Sequence, residues 1–169
     1  MEISAPTATL QYDVCIYVLT LSLDLDEPPE WVWRHLVDPA AAATWTPCVP
    51  DAPITRTGAV TLRENPDDEG ARETVLEVED GELLTHTWGH DTLSWIVEPF
   101  GPFSTLMVRH TTGSRESALD CLAGWHLCLE VLARRAAGED APRVVGAAAM
   151  EHGWRELRER YAARFADVP

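Results

Sequence analysis

The 169-residue sequence predicts an α+β fold in which a curved antiparallel sheet wraps around one long helix towards the C-terminus. Three observations predict it. Five segments between Gly58 and Thr112 alternate apolar and polar residues with a period of two, and their connections are short enough to join only antiparallel neighbours. They are followed by "DCLAGWHLCLEVLARRAAG", residues 120–138, in which Cys121, Leu122, Trp125, Cys128, Leu129 and Leu132 recur at helical spacing. Ahead of the five segments come one strand-like stretch and two short helical ones. Such a set buries its apolar faces most completely when the sheet grips the long helix.

The elements follow in chain order. "YDVCIYVLTLSLDL", residues 12–25, is rich in β-branched and aromatic residues and reads as the first strand, stopped by "DEPP". Proline is tolerated in the first turn of a helix, where its missing N–H would have no partner anyway, so "PEWVWRHLV" is expected to be helical until Asp38–Pro39. A second short turn, "AAAATW", runs into Pro47 and Pro50, and "TPCVPDAPITRTG" reads as a loop. The strands "AVTLRE", "RETVLEVE", "LLTHTWGH", "TLSWIVEP" and "STLMVRHTT" are separated by "NPDDEG", "EDGE", "GHD" and "PFGPF". Alternation puts Leu93, Trp95 and Val97 on one face, with Ser94 and Glu98 opposite; Leu106, Val108 and His110 alternate likewise. The long helix is expected over residues 118–137, ended by Gly138. "MEHGWRELRERYAARF" is read as one further amphipathic helix, with Trp154, Leu157, Tyr161 and Phe165 on its stripe. The expected organisation is a single domain over 1–169, with its core at about 12–138 and a helical extension at about 139–169.

Composition removes several chemistries. The net charge is −15 and all thirteen basic residues are arginine, so a Schiff-base lysine, a pyridoxal-phosphate anchor and a P-loop lysine are excluded. An acidic chain without a basic stripe repels phosphate backbones, and nucleic acid is not expected as a partner. No run approaches the roughly 18 to 20 apolar residues that cross a bilayer, so no membrane partner is expected either. The start, "MEISAPTATLQYDV", lacks a basic stretch followed by an apolar one, which predicts a cytoplasmic protein. Cys15, Cys48, Cys121 and Cys128 show no CxxC spacing and read as reduced thiols. Cys121 and Cys128 stand two helical turns, ~10 Å, apart, too far to bridge.

"EPPEWVWRHLVDPAAAATW", "ELLTHTW", "SWIVEPFGPFSTLMVRH" and "AGWHLCLEVL", taken in order, resemble the successive motifs of the SRPBCC (START-like, helix-grip) superfamily, in the branch named after the heat-shock protein 90 ATPase activator. The resemblance covers roughly Tyr12 to Gly138. It implies a helix-grip fold, with the two short helices between strands 1 and 2, and a cavity between the concave sheet and the long helix. Across the superfamily that cavity serves lipids, polyketides, plant hormones and aromatic compounds; some members are cyclases, dehydratases or hydrolases, and others only carry ligand. No catalytic residue transfers to this branch, and the activator's chaperone-binding role is not carried over.

If the helical stripe faces the sheet, Trp125, Cys121, Cys128 and Leu129 are expected to line a small-molecule cleft together with Trp45, Trp88, Trp95 and His110. Leu129, one turn beyond Trp125, is expected to border open space that a tryptophan there would fill. The alternative is ordinary core, since a buried Trp more often packs than binds, and a buried Cys behaves as a small hydrophobe. His86 and His90, ~13 Å apart along a strand, are too distant to share a metal, and His90 belongs to a turn. His110 on the inner face needs a partner or a ligand; as a general base it would need an orienting carboxylate, and neither Asp120 nor Glu98 can be placed there from sequence. No metal site, cofactor or catalytic residue is assigned. Two functions follow: a carrier or sensor of a hydrophobic, aromatic or polyketide-like molecule, or an enzyme of the cyclase, dehydratase or hydrolase type in the same cavity. A third is a protein-interaction or co-chaperone-like module that docks, or forms a homodimer, through the terminal helix.

Overall fold

A computed structural model describes residues 3–169. It has strands β1 (Thr7–Asp13) and β2 (Ile16–Leu25), helices α1 (Pro29–Val37) and α2 (Pro39–Ala42), and strands β3 (Val49–Pro50), β4 (Gly58–Arg63), β5 (Ala71–Glu79), β6 (Leu83–Trp88), β7 (Asp91–Phe100) and β8 (Phe103–Thr112). Helices α3 (Arg115–Ala136), α4 (Ala147–Glu151) and α5 (Trp154–Arg164) complete it. The eight strands form one curled antiparallel sheet in the order β1-β2-β8-β7-β6-β5-β4-β3. The segment holding α1 and α2 therefore carries the chain from β2 to the far edge, and the meander from β3 to β8 brings it back. This is the α+β helix-grip arrangement, with α3 as the gripped helix.

Three elements differ from expectation, one of them strand β3, whose Val49 and Pro50 pair with Arg63 and Leu62 of β4 inside the segment read as a loop. The first strand is a hairpin, β1–β2, turning on Val14 and Cys15 with φ of 41° and 67°, so the two short helices follow the second strand rather than the first. A two-residue turn with both central residues in the left-handed region usually takes Asn-Gly or Gly-Gly. Valine there is strained, which is why the sequence hides the turn. The terminal helix is also two pieces, α4 and α5, divided at Gly153 with φ 83°.

Register builds the core. Leu19 of β2 and Leu93 of β7 flank His110 of β8, Leu21 and Trp95 flank Val108, and Leu23 and Val97 flank Leu106, so three rows cross the inner face. Ser114 caps α3 by accepting from the Ser117 amide at 3.1 Å. The helix ends in a Schellman turn, in which the Gly138 amide donates to the Arg135 carbonyl and the Glu139 amide to Arg134, with Gly138 at φ 82°. One contiguous apolar core joins the sheet's inner face, α1, α3, Val144 and the Leu157 and Tyr161 side chains of α5. No helix among the described residues is long and apolar enough to cross a membrane.

Candidate functional site

Trp125 sits mid-way along α3 and is buried. Its indole Nε1 donates to His110 Nδ1 at 3.0 Å. With Nδ1 accepting, the ring proton belongs on Nε2, which donates to Asp91 Oδ2 at 2.8 Å. Burial lowers the pKa of His110, while the bond to Asp91 pulls it back up. The ring is neutral and both its nitrogens are committed. Trp95 repeats the pattern one strand on, donating to His86 Nε2 at 3.0 Å while His86 Nδ1–H reaches the Thr87 carbonyl at 2.9 Å. Trp45 donates to the His35 carbonyl at 2.9 Å. Each buried indole N–H thus has an acceptor, as burial of a polar group requires.

The rings form a ladder. Trp45 meets Trp95 edge-on at 5.6 Å between centroids, Trp95 meets Trp125 edge-on at 5.1 Å, and Trp125 meets Trp88 at 5.4 Å. This ladder fills the space between sheet and helix. What remains beside Trp45, Cys48, His86 and Trp95 is a gap of about 10 Å³, too small for an organic ligand.

A chiefly apolar cavity of about 320 Å³ lies instead on the flank of α3; wider but more polar clefts lie between α1 and the β5–β6 turn, about 520 Å³, and along the 51–60 segment, about 560 Å³. Cys121, Gly124, Trp125 and Cys128 form its helical wall, and Trp88 at the end of β6 stands beside them. Val144, Gly146, Ala149, Met150 and Trp154 close the opposite side, and Pro47, Glu64 and Asp120 complete it. Gly124 faces open space: a Cβ built there would meet nothing within 4 Å.

The far wall is anchored at several points. Arg143 donates to the main-chain carbonyls of Thr46, at 3.2 Å, and Glu64. On α5, Arg158 binds Asp120, with Nε to Oδ1 at 2.5 Å, and Glu116 of α3. Tyr161 donates to His126 Nδ1 at 2.6 Å, and His126 Nε2–H reaches Glu130 Oε1 at 3.1 Å. That bond holds the Glu130 carboxyl below the usual range. Arg115 secures the end of α5 through the Phe165 and Val168 carbonyls, each at 3.1 Å.

Of the eight residues singled out from sequence, Trp88, Cys121, Trp125 and Cys128 border the cavity, whereas Trp45, Trp95, His110 and Leu129 lie behind it in packed core. Leu129 is fully buried, so a tryptophan there would meet packed neighbours rather than open space. The orienting carboxylate of His110 is Asp91, not Asp120 or Glu98. Its parity with Leu93 and Trp95 was the available signal. Gly124 also carried one, because a mid-helix glycine costs ~1 kcal/mol against alanine and calls for a reason. On the opposite wall only Trp154 carried a periodic signal, and nothing periodic marked Val144, Gly146 and Ala149.

The thiols here are protonated. Burial pushes Cys121 and Cys128 each up to about 12, aided at Cys121 by Asp91 and Asp120 and opposed at Cys128 by Arg143. Cys48 is pushed up as well, and all four cysteines are free. Thiols of this kind are poor nucleophiles. Asp91, His110 and Cys121 bring one ligand atom each to within 4.8 Å of one another, spacing that could hold a metal. The tautomer opposes it, since Nε2 carries the proton and freeing Nε2 for a metal would move that proton to Nδ1, against the Trp125 N–H.

The model of the family described as "Activator of Hsp90 ATPase homolog 1-like protein" matches residues 26–137. Among solved structures, a conserved protein of unknown function from Enterococcus faecalis superposes with a TM-score of 0.78 at 14% identity, covering 96% of this chain and 92% of that one. CalU16 from Micromonospora echinospora gives 0.72 at 19% identity, covering 96% and 98%. DynU16, described as a protein in the dynemicin biosynthetic locus, gives 0.60 at 20% identity, covering 74% of this chain and 49% of its own. Identities this low establish a shared fold. No curated protein matches the chain in sequence.

Proposed function

Because the chain belongs to the family of activator of Hsp90 ATPase homolog 1-like proteins, we propose that it is a carrier or sensor of a hydrophobic, aromatic small molecule held on the flank of α3. The observation that carries this reading is the cavity bordered by Gly124, Trp88, Trp125 and Trp154. Its volume, about 320 Å³, falls at the lower end of small-molecule sites, and its lining is chiefly apolar with a few polar points. Native mass spectrometry of freshly purified protein tests the proposal directly. A stoichiometric small molecule, or saturable binding of Nile red with quenched tryptophan emission, is expected. Protein that co-purifies empty and binds no apolar dye would overturn it.

Catalysis in the same cavity is a second reading, favoured by the Asp91–His110–Cys121 cluster beside the wall. It has less support, because His110 presents no free lone pair and Cys121 is protonated at neutral pH. The docking reading has less still: Leu157 and Tyr161 of α5 are buried, and Trp154 borders the cavity, so the stripe it needs is turned inward.

A further inference from the structure

Resting on the binding reading above, we infer that the cavity selects a cationic aromatic ligand, an amine carried on a ring system, over neutral or anionic molecules of the same shape. The ionisable side chains on its lining other than the thiol groups are both carboxylates, Glu64 and Asp120, and they stand on different walls. Glu64 has no side-chain ion pair among the described residues. Its Oε1 lies 3.0 Å from the place a Gly146 Cβ would occupy, so the carboxylate sits over the glycine at the cavity edge.

The nearby cations are spent elsewhere. Arg143 has its guanidinium on two main-chain carbonyls, one of them that of Glu64, and acts on the Glu64 carboxylate only through its field, while Arg158 is shared between Asp120 and Glu116. Beyond these two lining carboxylates, Asp91 stands beside Cys121 and Glu116 beside Arg158, so carboxylates outnumber guanidiniums four to two in the neighbourhood. The net charge of −15, without a single lysine, adds a field of the same sign. Trp88, Trp125 and Trp154 supply ring surface that suits both an aromatic body and its cationic group. An amine therefore gains from the carboxylates and the indoles together, while a carboxylate or phosphate on the ligand meets repulsion and no free arginine.

The test is displacement of Nile red from the intact chain by three isosteric probes at neutral pH and low salt: naphthylmethylamine, naphthylmethanol and naphthoate. The amine is expected to bind about threefold to tenfold more tightly than the alcohol, the order of magnitude for one or two solvent-exposed charge contacts, and naphthoate weakest of all. The amine-to-alcohol ratio should shrink at high ionic strength and fall about threefold in Glu64→Gln. Equal binding of amine and alcohol, or preference for naphthoate, would overturn the inference while leaving the cavity reading intact. Failure of Nile red itself to bind would overturn both.

Discussion

Gly124 is where the cavity reading is most exposed to test. Replacing it with alanine places a Cβ where nothing lies within 4 Å, so no neighbour has to move. The helix should gain the usual glycine-to-alanine difference of ~0.5 to 1 kcal/mol, which for a chain of this size raises Tm by roughly 1 to 4 °C. Gly124→Phe then sets a ring into a space of about 320 Å³, bordered by Trp88 and Trp154. It should reduce Nile red affinity by tenfold or more, equivalent to ~1.4 kcal/mol, with stability near that of the parent. Leu129→Trp is the matched control. Leu129 is fully buried, so that substitution should lose ~1 to 3 kcal/mol to overpacking. Thermal melts and dye titrations on the three variants separate the cases. If Gly124→Ala were destabilising by more than 1 kcal/mol, or Gly124→Phe left dye affinity unchanged, the flank of α3 would not be the site.

Three further expectations follow from the packing. Burial lowers the pKa of His35, His86 and His110, so below the unfolded value of 6.5 the unfolded chain takes up protons that the folded one refuses. Stability is therefore complete above about pH 6.5 and falls as pH drops towards the folded values, by up to ~1.4 kcal/mol per pH unit for each histidine; urea midpoints between pH 7.5 and 5 that stay level would contradict this. Native protein treated with iodoacetamide at neutral pH should be alkylated promptly at exposed Cys15 and slowly at Cys121, whereas rapid labelling of Cys121 would revive the catalytic reading. Exchanging Val14-Cys15 for Asn-Gly should stabilise the β1–β2 hairpin by ~1 kcal/mol or more, measured by urea denaturation, and a loss of stability would mean the turn is not left-handed at both residues.

Most of the fold was legible because its elements follow local rules. Alternation in the five strands after Gly58 gave both their limits and their inward faces, and Gly138 marked the end of α3 through the conformation its Schellman turn demands. The β1–β2 turn was not legible, since Val14 and Cys15 adopt positive φ without the residues that normally signal it. The break before α5 was hidden by a pattern that ran through Gly153 with its apolar spacing undisturbed. In both places the chain accepts a local preference against the fold, and only tertiary packing reveals which one prevails.

The site shows a different limit. Parity correctly turned Trp95, His110 and Trp125 towards one another, but facing the same interior does not say whether that interior is full. Volume decides that, and volume is not local. Three indoles edge-to-face between sheet and helix, each with its N–H bonded, leave about 10 Å³ where the superfamily resemblance implied a cavity. The open space is displaced to the next face of α3, where Gly124 withholds a side chain and residues 144–154 form a second wall. Trp125 belongs to both places. Its N–H fixes the tautomer of His110 on the packed side, and its ring borders the cavity on the other. A ligand that shifts this ring must loosen the Asp91–His110–Trp125 chain, so occupancy of the cavity should register in the ring signals of His110 even though that histidine does not line it.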